Sequence, residues 1–219
     1  MKSSKLYTLL MGLIIALTLL TASIALPILC RPFYYAHIGP LQLSQQTGLT
    51  EEAIRTAYDE MMDFCLGLGE FSTGTLAWSE SGKSHFEDVR ALFLLDLTVL
   101  AVCVPTTILL PLFLRRRKLV PARPLGRGPS FWAGVGLATT FLLLGGLAAL
   151  DFERAFTLFH TLFFPGKTNW LFDWQVDEII LILPMVFFRN CALLILGTLV
   201  SGCAALICFD FRWRPLSQP

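Results

Sequence analysis

The sequence predicts an all-α membrane protein: a four-transmembrane-helix bundle with an outer amphipathic helix and an interface-dipping segment. Three observations predict it. First, the 219 residues are 55% hydrophobic and only 15% charged, against roughly 25% charged in an ordinary soluble domain, and mean hydropathy is +0.65. Second, four stretches reach the length of about 20 apolar residues that one bilayer-spanning helix needs. Third, the 17 basic and 16 acidic residues are strongly segregated along the chain. The same composition excludes disorder, which requires low hydrophobicity. With pI near 7.6 and no basic face, the chain is not a nucleic-acid binder. Six cysteines lie mostly in apolar runs and form neither a disulfide framework nor a zinc spacing.

The expected spans are residues 6–30, 91–114, 131–150 and 191–209, in a single integral membrane domain over 1–219. The first follows Lys2 and Lys5 and is too long for the 7–15-residue core of a cleaved signal peptide, so it reads as a retained span. The second ends in Arg115-Arg116-Arg117-Lys118, and Asp210, Arg212 and Arg214 close the fourth. Lys2, Lys5, the six basic residues between spans two and three, Arg212 and Arg214 all fall on one side of a four-span chain. The positive-inside rule puts that side in the cytoplasm. Both termini are then cytoplasmic in a multi-pass protein of the cell membrane, and loops 31–90 and 151–190 are outside. Those loops hold fourteen of the sixteen acidic residues.

The first outer loop carries an amphipathic helix. Thr50 can cap it, and Glu51 and Glu52 suit the positive end of its dipole. Ile54, Tyr58, Met61, Met62 and Cys65 recur at helical spacing, while Arg55 and Asp59 form an i,i+4 pair on the other side. The face covers the bundle or lies at the interface. Ser84-His85-Phe86-Glu87 has the form of a capping box. It predicts a helix starting at Ser84, with His85 in its first position about 9 Å above the second span. In the second outer loop, Phe152, Phe156, Phe159, His160, Phe163, Phe164, Trp170, Phe172 and Trp174 crowd together. Pro165-Gly166 breaks the helix, and residues 179–188 read as an apolar segment dipping into the interface. His37 reads as structural, and Asp96 is an ionisable residue within a span that can reach outer water.

The chain has no GxSxG, HExxH or P-loop motif. What it has is His85 and His160 at one depth on one side, flanking an aromatic region. A substrate there is an amphiphile reacting near the glycerol level of the outer leaflet. Ester aminolysis fits: an α-amino group of pKa about 8 must lose a proton to attack a carbonyl, and an imidazole can relay it. A second imidazole can hydrogen-bond the developing oxyanion. Asp173 and Asp177 are the carboxylates that can orient an imidazole.

Several blocks resemble the lipoprotein intramolecular transacylases (Lit). They are His85-Phe86-Glu87-Asp88-Val89-Arg90, Phe159-His160-Thr161-Leu162-Phe163-Phe164-Pro165-Gly166 with Asn169-Trp170, and Asp177 with Ile182-Leu183-Pro184 and Phe187-Phe188. Thr47-Gly48-Leu49, Tyr58 and residues 61–66 resemble the family's first outer helix. The resemblance covers nearly the whole chain. It implies a transacylase that moves one acyl chain of a bacterial lipoprotein from the glycerol of the S-diacylglyceryl cysteine to that cysteine's α-amino group, giving the lyso form. It implies His85 and His160 as the catalytic pair. Phe159, Phe163, Phe164, Asn169 and Trp170 are then expected to bind substrate. One position departs from the family pattern: Met185 stands where an acidic residue is expected after Pro184.

The expected partners are a diacylated lipoprotein and membrane lipids, with no nucleic acid, no cofactor, no metal and a monomeric enzyme. The competing reading is a non-enzymatic membrane assembly or chaperone subunit that binds a partner through its outer loops. Proximity of the two histidines separates these readings: within about 8 Å they can share one ester. A transporter is disfavoured because the chain has no repeats or paired broken helices.

The charge segregation generates the first prediction. A reporter fused to the C-terminus should be cytoplasmic, and one inserted in the 66–76 loop should be extracellular. An extracellular C-terminal reporter would refute the four-span reading.

Overall fold

The computed structural model describes residues 2–212; Met1 and residues 213–219, among them Arg214 of the basic set, lie outside the described residues. Four helices are long and apolar enough to cross a membrane: α1 (Lys5–Leu29), α5 (Glu80–Arg116), α6 (Pro129–Leu150) and α8 (Met185–Arg212). Between them lie α2 (Arg31–Ile38), α3 (Leu43–Thr47), α4 (Glu51–Cys65) and α7 (Phe152–Phe163). Contacts divide the chain into two compact units.

Of the described residues, the first unit comprises 2–24, 97–146 and 194–212. Its helices expose apolar side chains such as Leu9, Leu109, Leu143 and Leu144, as a lipid-facing surface should. At its basic end, strand β1 (Lys2–Ser4) pairs in parallel with β2 (Leu119–Pro121). Asp210 is buried there. It accepts from the backbone N–H of Gly128 and from Arg123 Nη2, both at 2.9 Å, and Arg127 reaches it at 3.9 Å.

The second unit comprises residues 25–96 and 147–193 and carries both long loops, 31–90 and 151–190. Thr50 caps α4 as the sequence predicts, its hydroxyl accepting from Ala53 N–H at 3.1 Å. The helix ends in a Schellman turn. Gly67 takes φ +79, its N–H reaches the Phe64 carbonyl, and Leu68 N–H reaches the Asp63 carbonyl. The apolar face of α4 is core: Ile54, Tyr58, Met61, Met62 and Cys65 are buried. Tyr58 stacks on Tyr34 at 3.7 Å, and Tyr34 Oη donates to the Ile182 carbonyl at 2.8 Å. On the polar face, Arg55 pairs with Glu51 at 2.6 Å rather than with Asp59. Asp59 instead accepts from Tyr35 and meets Arg31.

Three expectations are corrected. The helix carrying His85 begins at Glu80, not at Ser84. The cap is Ser79, whose Oγ accepts from Gly82 N–H at 3.0 Å; the capping-box pattern is matched by residues already inside the helix. At 37 residues, α5 runs about 55 Å at 1.5 Å per residue, longer than a bilayer core of roughly 30 Å. Its polar turns before residue 91 therefore stand clear of the spanning part. Finally, residues 179–188 do not form one dipping segment. Glu178–Ile182 is a 3-10 turn whose Ile179 and Ile182 are core, and α8 starts at Met185, six residues before the expected span. α7 presents apolar side chains outward through Leu158, Phe159, Leu162 and Phe163, while within 179–188 Leu181, Met185 and Val186 are also exposed.

The two long loops are tied together by one carboxylate. Asp177 accepts from Ser79 N–H at 2.8 Å and from Ser79 Oγ at 2.9 Å. Beside it, Ala77 and Glu178 exchange two hydrogen bonds, one through the Glu178 carboxylate and one through its backbone N–H. A Cβ on Gly82 would collide with the Asp177 carboxylate. Gly82→Ala should therefore lower stability by about 1–3 kcal/mol, the usual cost of overpacking. Gly136→Ala, where a Cβ meets open space, should not. Thermal unfolding of the two variants in detergent checks this; equal midpoints would show that the clamp yields.

Candidate active site

His85 sits on the second turn of α5 and His160 near the C-terminal end of α7. Their ring centroids are 5.7 Å apart, inside the 8 Å separation that a shared ester requires. Both rings are buried. Phe164 packs on both, with centroids at 5.0 Å from His85 and 5.6 Å from His160. Trp170 lies 4.7 Å from His160 and Phe172 lies 5.5 Å from His85.

The hydrogen bonds distinguish the two imidazoles. His160 Nδ1 is 2.8 Å from the Phe156 carbonyl one turn back. A carbonyl only accepts, so Nδ1 carries the proton and Nε2 of the neutral ring carries the lone pair. His85 Nδ1 is buried with no hydrogen-bond partner, an arrangement that is costly unless a ligand satisfies it. His37 gives a contrast. Its Nδ1 faces the Phe33 carbonyl at 2.6 Å and its Nε2 faces the Asn190 amide at 3.0 Å. Both of its nitrogens are occupied, in keeping with the structural role expected for it.

Electrostatics favour two neutral rings. Burial, and then the neighbouring His160, push His85 down to about 4. Burial also lowers His160, against a partial opposing effect of the Phe156 carbonyl. Because α5 starts at Glu80, four residues before the expected Ser84, His85 lies inside the helix rather than at its N-terminus, and desolvation is what disfavours its charge.

Of the residues expected to bind substrate, Phe164 is buried, and Phe159 and Phe163 are about half exposed on α7. Trp170 donates from Nε1 to the Lys167 carbonyl. Asn169 Nδ2 donates to Asp88 at 3.1 Å. Since an ionised carboxylate only accepts, Asn169 Oδ1 points the other way, where it is buried without a partner. The two carboxylates expected to orient an imidazole do other work. Asp177 caps Ser79, and Asp173 accepts from Gln175 N–H. The carboxylate that acts electrostatically on His85 is Asp88, one turn along the same helix and paired with Lys167. Burial opposes its ionisation, but the bonds from Lys167 and Asn169 prevail and hold it below the usual carboxylate range. Asp88, Phe156, Lys167 and Phe172 were absent from the expected site. The i+3 and i−4 spacings of Asp88 from His85 and of Phe156 from His160 were the available signals. Among the described residues no cluster of His, Cys, Asp and Glu could hold a metal ion.

A family model described as lipoprotein intramolecular transacylase Lit matches residues 9–188. The solved structure of the membrane-integral Lit from Bacillus cereus superposes with a TM-score of 0.83 at 24% identity, covering 95% of this chain and 94% of that one. Two variants of that protein, with a histidine changed to arginine or to alanine, superpose with a TM-score of 0.77, also at 24% identity. Each comparison covers 97% of this chain, with 94% of the arginine variant and 95% of the alanine variant covered. No curated protein matches the chain. Fold and family match together define a membrane-integral acyltransferase. The chain belongs to the lipoprotein intramolecular transacylase (Lit) family.

The lowered histidines generate a pH prediction. An unfolded histidine titrates near 6.5. Between that value and about 4 the unfolded chain takes up a proton at His85 that the folded protein refuses. Stability is therefore full above about pH 6.5 and falls as pH drops toward 4. Thermal unfolding at stepped pH should show this decline, and His85→Gln should flatten it. An unchanged slope in that variant would mean that His85 is not the group responsible.

Proposed function

We propose that the protein moves one acyl chain from the glycerol of a lipoprotein's S-diacylglyceryl cysteine to that cysteine's α-amino group, giving the lyso form. The observation that carries this reading is the pair of buried imidazoles 5.7 Å apart, one with a defined free lone pair and the other with an unmet polar atom. His160 Nε2 accepts a proton from the amine as its nitrogen bonds to the ester carbonyl carbon. An N–H of His85 Nδ1 hydrogen-bonds the oxyanion that forms. When the tetrahedral intermediate collapses, the carbon–oxygen bond to glycerol breaks. The proton held on His160 passes to the glyceryl oxygen, and the carbonyl stays on nitrogen as an amide.

Asn169 Oδ1, fixed by the bond from Nδ2 to Asp88, accepts from the amine and aims its lone pair. Phe159, Phe163, Phe164 and Trp170 hold the glyceryl and acyl portions and keep water from the intermediate. Ester and amine belong to one molecule, so effective concentration supplies much of the rate, and no strong nucleophile of the protein's own is needed. The protein then needs neither metal nor cofactor and acts as a single chain. On the positive-inside reading this chemistry takes place at the outer leaflet, and both termini are cytoplasmic.

The test is mass spectrometry of lipoprotein N-terminal peptides from a host lacking other N-acylation, with and without this gene. Appearance of the N-acyl, lyso-glyceryl peptide is expected only with the gene. Phe163→Asp should insert in the membrane normally yet convert at least tenfold less, because a charge on the lipid-facing wall opposes entry of acyl chains. Expression with no change in lipoprotein mass would favour the alternative of a non-enzymatic assembly subunit.

A further inference from the structure

The first unit contains a groove of about 930 Å³, well away in sequence from both histidines. Ile15, Leu19 and Ala22 of α1 and Ala205 of α8 give it an apolar wall, and Arg115 and Arg123 stand at one end. The volume is that of a small-ligand site, for which 300–1,000 Å³ is usual. Its charge is one-sided. Residues 115–127 contain six basic side chains and no acidic one. Asp210 is the one acidic residue lining the groove among the described residues, and it is already taken by Arg123 and Gly128. Arg115, by contrast, is exposed and has no carboxylate within ion-pair distance among the described residues.

An occupant of this groove must therefore join an anionic group to a long apolar chain. We propose that the groove binds an anionic phospholipid, with one acyl chain along the α1 and α8 wall and its phosphate at Arg115, beside the Arg123–Asp210 pair. Basic pockets between transmembrane helices recognise such headgroups. The lipid comes from the leaflet on the side of the basic loop and binds independently of the acyl-transfer site.

The full chain in detergent micelles, exposed to phosphatidylglycerol or to phosphatidylcholine with identical acyl chains, tests this by native mass spectrometry. One phosphatidylglycerol should be retained in preference to phosphatidylcholine. Arg115→Gln should weaken it about fivefold, the worth of one basic residue at a lipid surface. Ala205→Phe, which fills the groove, should abolish retention while conversion of lipoprotein stays at the native level; Ala22→Phe serves as a second filler. Free glycerophosphate, lacking the chain, should not bind. Equal retention of the two lipids would overturn the proposal. So would native retention of phosphatidylglycerol in a folded filler variant, or binding of glycerophosphate that the fillers leave intact.

Discussion

The second unit of this protein depends on the Asp177 carboxylate. It takes the N–H and the hydroxyl of Ser79, and Ser79 in turn caps α5 through Gly82. A helix leaves its first N–H groups unsatisfied, and near a membrane interface water is a less dependable partner than the protein itself. One carboxylate from the second loop meets that need, and in doing so fixes where α5 begins. The start of α5 sets the rotation of His85 about the helix axis, and residues 173–182 are simultaneously drawn against residues 77–79. The Tyr34–Tyr58 stack and the Tyr34 bond to the Ile182 carbonyl hold the other end of the same segment over α4.

Once the loops are docked, the site follows from desolvation. Two imidazoles this close and this buried cannot both carry charge, and burial lowers the proton affinity of each. Neutral rings are the form needed by a base and a hydrogen-bond donor. The i−4 carbonyl of Phe156 selects the tautomer of His160, which under the proposed function gives the two rings different parts; among the described residues no carboxylate pairs with either ring. Polar groups near the site, Asp88, Lys167 and Asn169, balance one another. The unsatisfied atoms left over are His85 Nδ1 and Asn169 Oδ1, the two positions where substrate is expected to bond.

The membrane architecture was legible because apolar runs are local signals: four helices are long and apolar enough to cross a membrane, and Thr50 caps α4 as expected. Helix starts were less legible. Ser84 and Glu87 carry the capping-box pattern, yet the cap falls at Ser79 because Asp177, 98 positions away, selects it. The same blindness to distant partners misplaced the role of Asp177; Asp173 bonds within its own turn at Gln175, and Asp88 was missed although it stands three residues from His85. Residues 179–188 were apolar enough to suggest lipid contact; they are apolar because α3 and α4 cover the Glu178–Ile182 turn. Pairing of His85 with His160 rested on equal depth and on the family resemblance; the packing of Phe164 on both rings depends on the folded chain and had no signal in the sequence.

The central claim is that the two imidazoles act as one catalytic unit on a single ester. Single-turnover conversion of a purified diacylated lipopeptide by the unaltered protein, His85→Ala, His160→Ala and the double variant tests it most directly. Removing a base or an oxyanion donor typically costs on the order of a hundredfold or more. Groups that act as a unit are not additive. The account predicts that each single variant loses at least that much and that the double variant is hardly slower than either. Independent losses that multiply in the double variant, or near-native conversion by a properly inserted single variant, would contradict it.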